Sequence, residues 1–130
     1  MQTIMKRVLA CVSLVALAIG PASAQGLSPI GKWKLDAGDS QYEVTYCGDG
    51  KQLCAKVIYL GPGTLDDHTR PYLNTYLVEG AKPAGANRWK GTVSVYGDKL
   101  AGTVEQLGPD LIKLTGCKLI FCKSFKLLRL

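Results

Sequence analysis

Histidine is nearly absent from this chain: His68 is the only one in 130 residues. That leaves no room for a His-Glu-x-x-His zinc helix, and the sequence also lacks a Gly-x-Ser-x-Gly elbow and a phosphate-binding glycine loop. The hydrolase, zinc-protease and nucleotide-binding classes that rest on those patterns lose their support. No cysteine pair has C-x-x-C spacing, so a thioredoxin-type redox motif is missing too. Charge is not clustered. Lys and Arg number 16 against 10 Asp and Glu, scattered along the chain. A dispersed excess of this kind gives solubility and at most weak attraction to anionic envelope surfaces. Beyond residue 24 no apolar run is long enough to be a membrane helix.

What is present begins with MQTIMKRVLACVSLVALAIGPASAQG. Lys6 and Arg7 form a positive start, residues 8–19 form an apolar run, and Gly20-Pro21 break it. Ala22-Ser23-Ala24 then supplies an A-x-A cleavage site. This is the layout of a secretory signal peptide, and the run is too short to span a bilayer. The expectation is a signal at residues 1–24 and one mature domain at 25–130, periplasmic or secreted. Losing Lys6 and Arg7 lowers the net charge from +6 to +4. Nucleic acid is not a partner in that compartment.

Export bears on the cysteines. Four remain after cleavage: Cys47, Cys54, Cys117 and Cys122. An even number in a short exported chain reads as a disulfide framework. Closed zinc sites use tighter C-x2-4-C pairs than the C-x6-C and C-x4-C found here. In QYEVTYC and CAKVIYL, strand alternation points Cys47 and Cys54 outward on neighbouring strands. Cys117 and Cys122 share an outward face in the same way. Local pairing, Cys47–Cys54 and Cys117–Cys122, is the simplest solution, and each short loop would give about 2 to 2.5 kcal/mol by chain entropy.

Almost every segment after residue 30 alternates apolar and polar instead of repeating at the helical period. Strands are expected at 31–36, 41–47, 53–60, 76–79, 88–96, 99–107, 111–117 and 122–129. Turns rich in Gly, Asp and Pro separate them. Residues 61–73 (GPGTLDDHTRPYL) form the longest irregular stretch, with room for one helical turn. One face collects Trp33, Tyr42, Val44, Tyr46, Val57, Tyr59, Trp89, Ile112, Phe125 and Leu127, and the other carries mostly Lys, Glu, Ser and Thr. The predicted fold is all-β: a single small antiparallel up-and-down barrel of eight strands, which removes sheet edges. A two-sheet sandwich satisfies the same pattern.

Gly31-Lys32-Trp33 opens the first strand, and Arg129 falls on the inward face of the last. The pair looks like the lipocalin and calycin arrangement, in which a first-strand Gly-x-Trp packs against a last-strand Arg at the closed end of the barrel. Trp33 and Arg129 are thus the candidate closure pair. Nearly the whole mature chain resembles a family of small exported bacterial proteins known as the domain of unknown function 2147. The resemblance is carried by Gly31-x-Trp33, by "YCGDGKQLCAKVIYL" at 46–60 and by the Arg70-Pro71 pair. It continues through "RWKGTVSVYGDKLAG" at 88–102 and "LTGCKLIFCKSFKLLR" at 114–129. Ala55 stands where the family usually has Gly, and Leu127 where it has an aromatic residue. The resemblance implies a lipocalin-like barrel, an envelope or secreted location and no established catalytic activity.

No catalytic residue, metal ligand or cofactor site is expected. Asp66 and Asp67, just before His68, are adjacent and in an extended segment point apart, a poor acid–base pair, and a polar loop tip explains all three. Two binding expectations remain. In the first, Tyr42, Tyr46, Tyr59, Trp89 and Phe125 line a cavity for a small apolar or amphipathic molecule. An eight-stranded barrel can also be filled by its own side chains, and the short chain favours a filled or narrowly open interior. In the second, the loop at 61–73 recognises a protein partner, such as a hydrolase to be inhibited, through Asp67, His68, Arg70 and Tyr72.

Overall fold

A computed structural model describes residues 26–130; the signal-peptide reading of residues 1–24 lies outside the described residues. Eight strands follow one another: β1 (Gly31–Leu35), β2 (Gln41–Cys47), β3 (Gln52–Tyr59), β4 (Tyr76–Pro83), β5 (Arg88–Val95), β6 (Asp98–Gly108), β7 (Leu111–Lys118) and β8 (Phe121–Arg129). Each pairs antiparallel with the next, and β8 returns to β1 through Trp33–Arg129 and Leu35–Leu127. The result is a closed up-and-down barrel, which settles barrel against sandwich. A single 3-10 turn at Arg70–Tyr72 sits in the long loop. No helix among the described residues is long and apolar enough to cross a membrane.

Strand alternation explains most of the core. Trp33, Val44, Leu53, Val78, Val93 and Ile112 point inward and are almost fully buried. The barrel has two unlike ends. At one, the turns at 48–51, 84–87 and 109–110 meet the chain at 26–30, which crosses the opening as a strap. At the other lie the turns at 36–40, 96–97 and 119–120 and the long loop at 60–75.

The strap end is shut by the closure pair. Trp33 is fully buried, and the Arg129 guanidinium lies 4.3 Å from its ring. Burying an indole removes roughly 150–250 Å² from water, worth about 4–6 kcal/mol. The cation–π contact adds about 1 kcal/mol, so its main effect is orientation. Arg129 also donates to the carbonyls of Ser28, Ile30 and Pro109, at 2.6, 2.9 and 2.8 Å. Trp33 Nε1 donates to Pro29 O at 2.8 Å, and Gln106 Nε2 to Ser28 O at 2.9 Å. Gly31 has a physical reason to be glycine. Its φ is +139°, and a Cβ there would stand 2.8 Å from Arg129 Nη1.

Disulfides join Cys47 to Cys54 and Cys117 to Cys122, with Cα separations of 5.9 and 4.0 Å. Cross-links of this kind belong to a chain that matures outside the reducing cytoplasm. Cys54 departs from expectation. It pairs with exposed Thr45 on the outer face, yet it is buried. A register shift at Gly80 brings β4 backbone over the sulfur, and the Gly80 N–H donates to it at 3.3 Å.

A second register shift corrects the sequence reading more seriously. Gln41 pairs with Tyr59, but Tyr42 pairs with Val57, so β3 holds an extra residue at Ile58. Such a bulge reverses the in–out parity beyond it. Tyr59 therefore faces outward, 45% exposed, and Leu60 turns inward and is buried.

Candidate functional site

Of the two expected interiors, filled or narrowly open, the structure has an open one. At the loop end it holds a cavity of about 530 Å³, within the roughly 300–1,000 Å³ of small-molecule sites. Its walls come from strand residues whose inward positions run past the packed layer around Trp33. Leu114, Phe125 and Leu127 from β7 and β8 form one side, and Leu35, Tyr42 and Val57 from β1 to β3 form another. Leu60 and Leu77 close the space toward the loop. Both owe their orientation to register shifts, at Ile58 and at Leu77.

The mouth is polar in a particular way. Tyr42, Tyr72, Tyr76 and Tyr96 line the cavity, four of the six tyrosines in the chain. Thr75 and Ser94 add hydroxyls, and Glu79 is the single ionisable acid. Among the described residues no Lys, Arg or His touches the space. The 14 Lys and Arg among the described residues are thus all kept off this wall. Burial pushes the Tyr42 phenol above its ordinary 10.0, with Ser40 opposing and Tyr96 adding to the rise. The group stays protonated at neutral pH and can both donate and accept.

The long loop supplies part of this mouth and is built to hold still. Asp39, in the turn after β1, accepts the Gly63 N–H at 2.8 Å and the Thr64 hydroxyl at 2.5 Å. Asp66 accepts the N–H groups of His68 and Thr69, both at 2.8 Å, and the buried Thr69 hydroxyl donates to Thr64 O at 2.7 Å. These bonds hold both carboxyls below the usual carboxylate range: Asp39 chiefly through Thr64 and then Gly63, Asp66 chiefly through Thr69 and then His68.

The loop then sets Tyr72 edge-on to Tyr96, ring centres 5.7 Å apart. Tyr96 has φ +48° and Gly97 φ +85°, a tight turn between β5 and β6. Gly97 is needed twice, because a Cβ there would stand 2.6 Å from the Tyr72 hydroxyl. A bulky residue at positive φ carries local strain, and here it aims a phenol at the cavity mouth.

The candidate residues therefore divide. Tyr42 and Phe125 line the cavity, and Tyr72, expected on a recognition loop, joins them there. Tyr46 and Trp89 do not. They meet at the strap end, in a shallow depression with Lys51, Pro83 and Gly85. Tyr46 shares the inward face, paired with Leu53, but lies past the end of the packed layer and is 48% exposed. Trp89 is buried there and donates from Nε1 to Lys51 O at 3.3 Å. Tyr59 is outside the barrel altogether. Asp67 and Arg70 form an exposed ion pair at 3.4 Å, and His68 stands 6.4 Å from Tyr72.

Sequence reasoning missed Tyr76, Glu79, Tyr96 and the tether Asp39. The first two flank the bulge at Leu77, which pattern alone does not announce, and Asp39 reads as an ordinary turn residue. Among the described residues no three His, Cys, Asp or Glu side chains converge as metal ligands would. No protein-family model, curated protein or solved structure matches the chain.

Proposed function

We propose that this chain is an exported, disulfide-stapled barrel that binds a small amphipathic molecule at its loop end, without turning it over. The apolar body of the ligand packs on Leu114, Phe125 and Leu127, and its polar end meets the tyrosine hydroxyls. One observation carries the reading: a cavity of ligand size with an apolar floor and a hydroxyl-rich mouth. Membership of the domain of unknown function 2147 family fits the order of Gly31-x-Trp33, the four cysteines and Arg129. The periplasm or the exterior fits the two disulfides and the signal-like first residues.

The wall also selects among polar ends. A carboxylate ligand would find no cation to pair with, and desolvating it unpaired is costly. A neutral hydroxyl or an ammonium meets phenols and the Glu79 carboxylate instead, and aromatic faces attract cations. The reading is tested by titrating the purified protein with the neutral dye N-phenyl-1-naphthylamine, then displacing it with ten-carbon amphiphiles that differ only at the head. Saturable dye uptake is expected, reversed by decyltrimethylammonium or decanol at lower concentration than by decanoate. Absence of saturable uptake would sink the binding reading. Displacement by decanoate alone would sink the head-group preference and leave the cavity occupied.

A further inference from the structure

The β7–β8 hairpin breaks two local rules at once. Its turn consists of Leu119 and Ile120, between the paired residues Lys118 and Phe121. Two-residue hairpin turns favour Asn, Asp and Gly, because the backbone there needs positive φ. Leu119 nevertheless sits at φ +56°. Leu119, Ile120 and Phe121 are 92%, 88% and 75% exposed. Folding gains nothing from three large apolar side chains held in water on a strained turn.

The tip is also held rigid. Cys117 and Cys122 are directly opposed at the base of the turn and joined by a disulfide, which fixes the strand pairing beneath the exposed residues. The lysines nearest the tip are Lys118 and Lys123, which flank it on the two strands. The hairpin itself, residues 111–130, contains no acid; its other basic residues, Lys113, Lys126 and Arg129, lie toward the strap end. Lys118 neutralises Asp98 of the neighbouring turn at 3.0 Å. The same end of the barrel carries Tyr59, Leu65, Leu73 and Tyr76, so seven of the eleven large apolar residues exposed among the described residues lie at that end.

We infer that this hairpin tip inserts into the surface of a lipid bilayer. Three residues are few beside the roughly 20–30 that each partner contributes to a stable protein complex. A narrow apolar point backed by lysines instead suits the headgroup–acyl boundary, where apolar side chains descend and lysines remain among the headgroups. The cavity mouth opens at the same end, so a docked barrel would face its opening toward the lipid. The inference rests on the tip alone and does not require the cavity to be occupied.

The test is co-flotation of the disulfide-bonded protein with vesicles of phosphatidylcholine, or of phosphatidylcholine and phosphatidylglycerol in equal parts. Binding is expected to both, and more strongly to the anionic mixture. Replacing the tip by serine (Leu119→Ser, Ile120→Ser, Phe121→Ser together) should lower partitioning about a hundredfold, three apolar anchors being lost. Those side chains touch little of the fold, and an unchanged near-ultraviolet circular dichroism spectrum would confirm that the variant is native. Replacing Lys118 and Lys123 by Gln should cost about fivefold per lysine on the anionic vesicles only. Leu114→Trp, which fills the cavity, should leave flotation unchanged. Failure to float, or flotation indifferent to the serine variant, would overturn the inference. So would a tip-dependent dimer or protein complex without vesicle binding.

Discussion

Arg129 stands directly across the β1–β8 seam from Trp33, its guanidinium carbon 4.3 Å from the indole. The same group gathers three carbonyls from the strap and from the turn after β6, so one side chain fastens both to the barrel end. Replacing Arg129 by Met keeps an apolar stem over the indole but leaves those carbonyls without their donor. A loss of about 2–4 kcal/mol is expected, from several charge-assisted bonds that compete with water. Arg129→Lys should recover little of it, because one ammonium lacks the planar fork that reaches several acceptors. Urea unfolding midpoints of the two variants measure this, and a Met variant as stable as its parent would remove the strap from the account of stability.

Two tyrosines separated by one bulge offer a sharper contrast. Tyr42 is buried on the cavity wall, whereas Tyr59 lies outside the barrel. Tyr42→Ala should cost about 3 kcal/mol, as for a buried aromatic truncated to alanine. Tyr59→Ala should stay within about 0.5 kcal/mol of the parent, as at ordinary surface positions. Equal losses at the two positions, read from denaturant midpoints, would place the extra residue of β3 somewhere other than Ile58.

That contrast shows how much of the molecule is legible in its sequence. Period-two alternation holds over most strands, so eight antiparallel strands with one apolar face and the local pairing of cysteines can be read from side-chain order, while the pattern fits barrel and sandwich alike and the Trp33–Arg129 pair rests on the resemblance to lipocalins. Alternation fails where the chain counts one residue too many. The bulge at Ile58 turns Tyr59 out and Leu60 in, and shifts near Leu77 and Gly80 recast β4. A bulge leaves no mark in the apolar pattern before it and inverts the pattern after it. The candidate site sits beyond the bulges. Hence Tyr42 and Phe125, on regular stretches, were found, while Tyr76 and Glu79 were not. Tyr72 was expected on an interaction loop and also lines the cavity: the sequence shows its loop, and only the tethers to Asp39 show where the loop lies.

Those tethers predict a response to acid. Asp39 and Asp66 have carboxyls held below 3.8 by hydrogen bonds from the loop. A lowered folded-state pKa adds stability that is present in full above the unfolded value and fades as pH falls through the folded value. The loop at 61–73 should thus be unaffected at neutral pH and loosen only below about pH 3.8. Amide resonances of Gly63, Thr64, His68 and Thr69 in an NMR titration follow it directly. Asp39→Asn should loosen Gly63 and Thr64 already at neutral pH and flatten their acid response. A loop that melts near pH 6 would have to be controlled by another group.

The cavity makes an opposite demand on the core from the one a packed barrel makes. Enlarging a side chain in a filled interior costs about 1–3 kcal/mol through strain. Leu114 is buried but borders open space, so an added indole at that position has room to enter. Leu114→Trp should therefore leave the unfolding midpoint close to that of the parent while reducing dye uptake at least tenfold. Phe125→Ala, which widens the same wall, should retain uptake and extend it to bulkier probes. Both substitutions alter the wall facing the cavity, at residues that Tyr72 and Tyr96 do not hold. A Leu114→Trp variant that unfolds early would show that the space closes in solution, and one that still takes up dye would place the bound molecule outside the barrel.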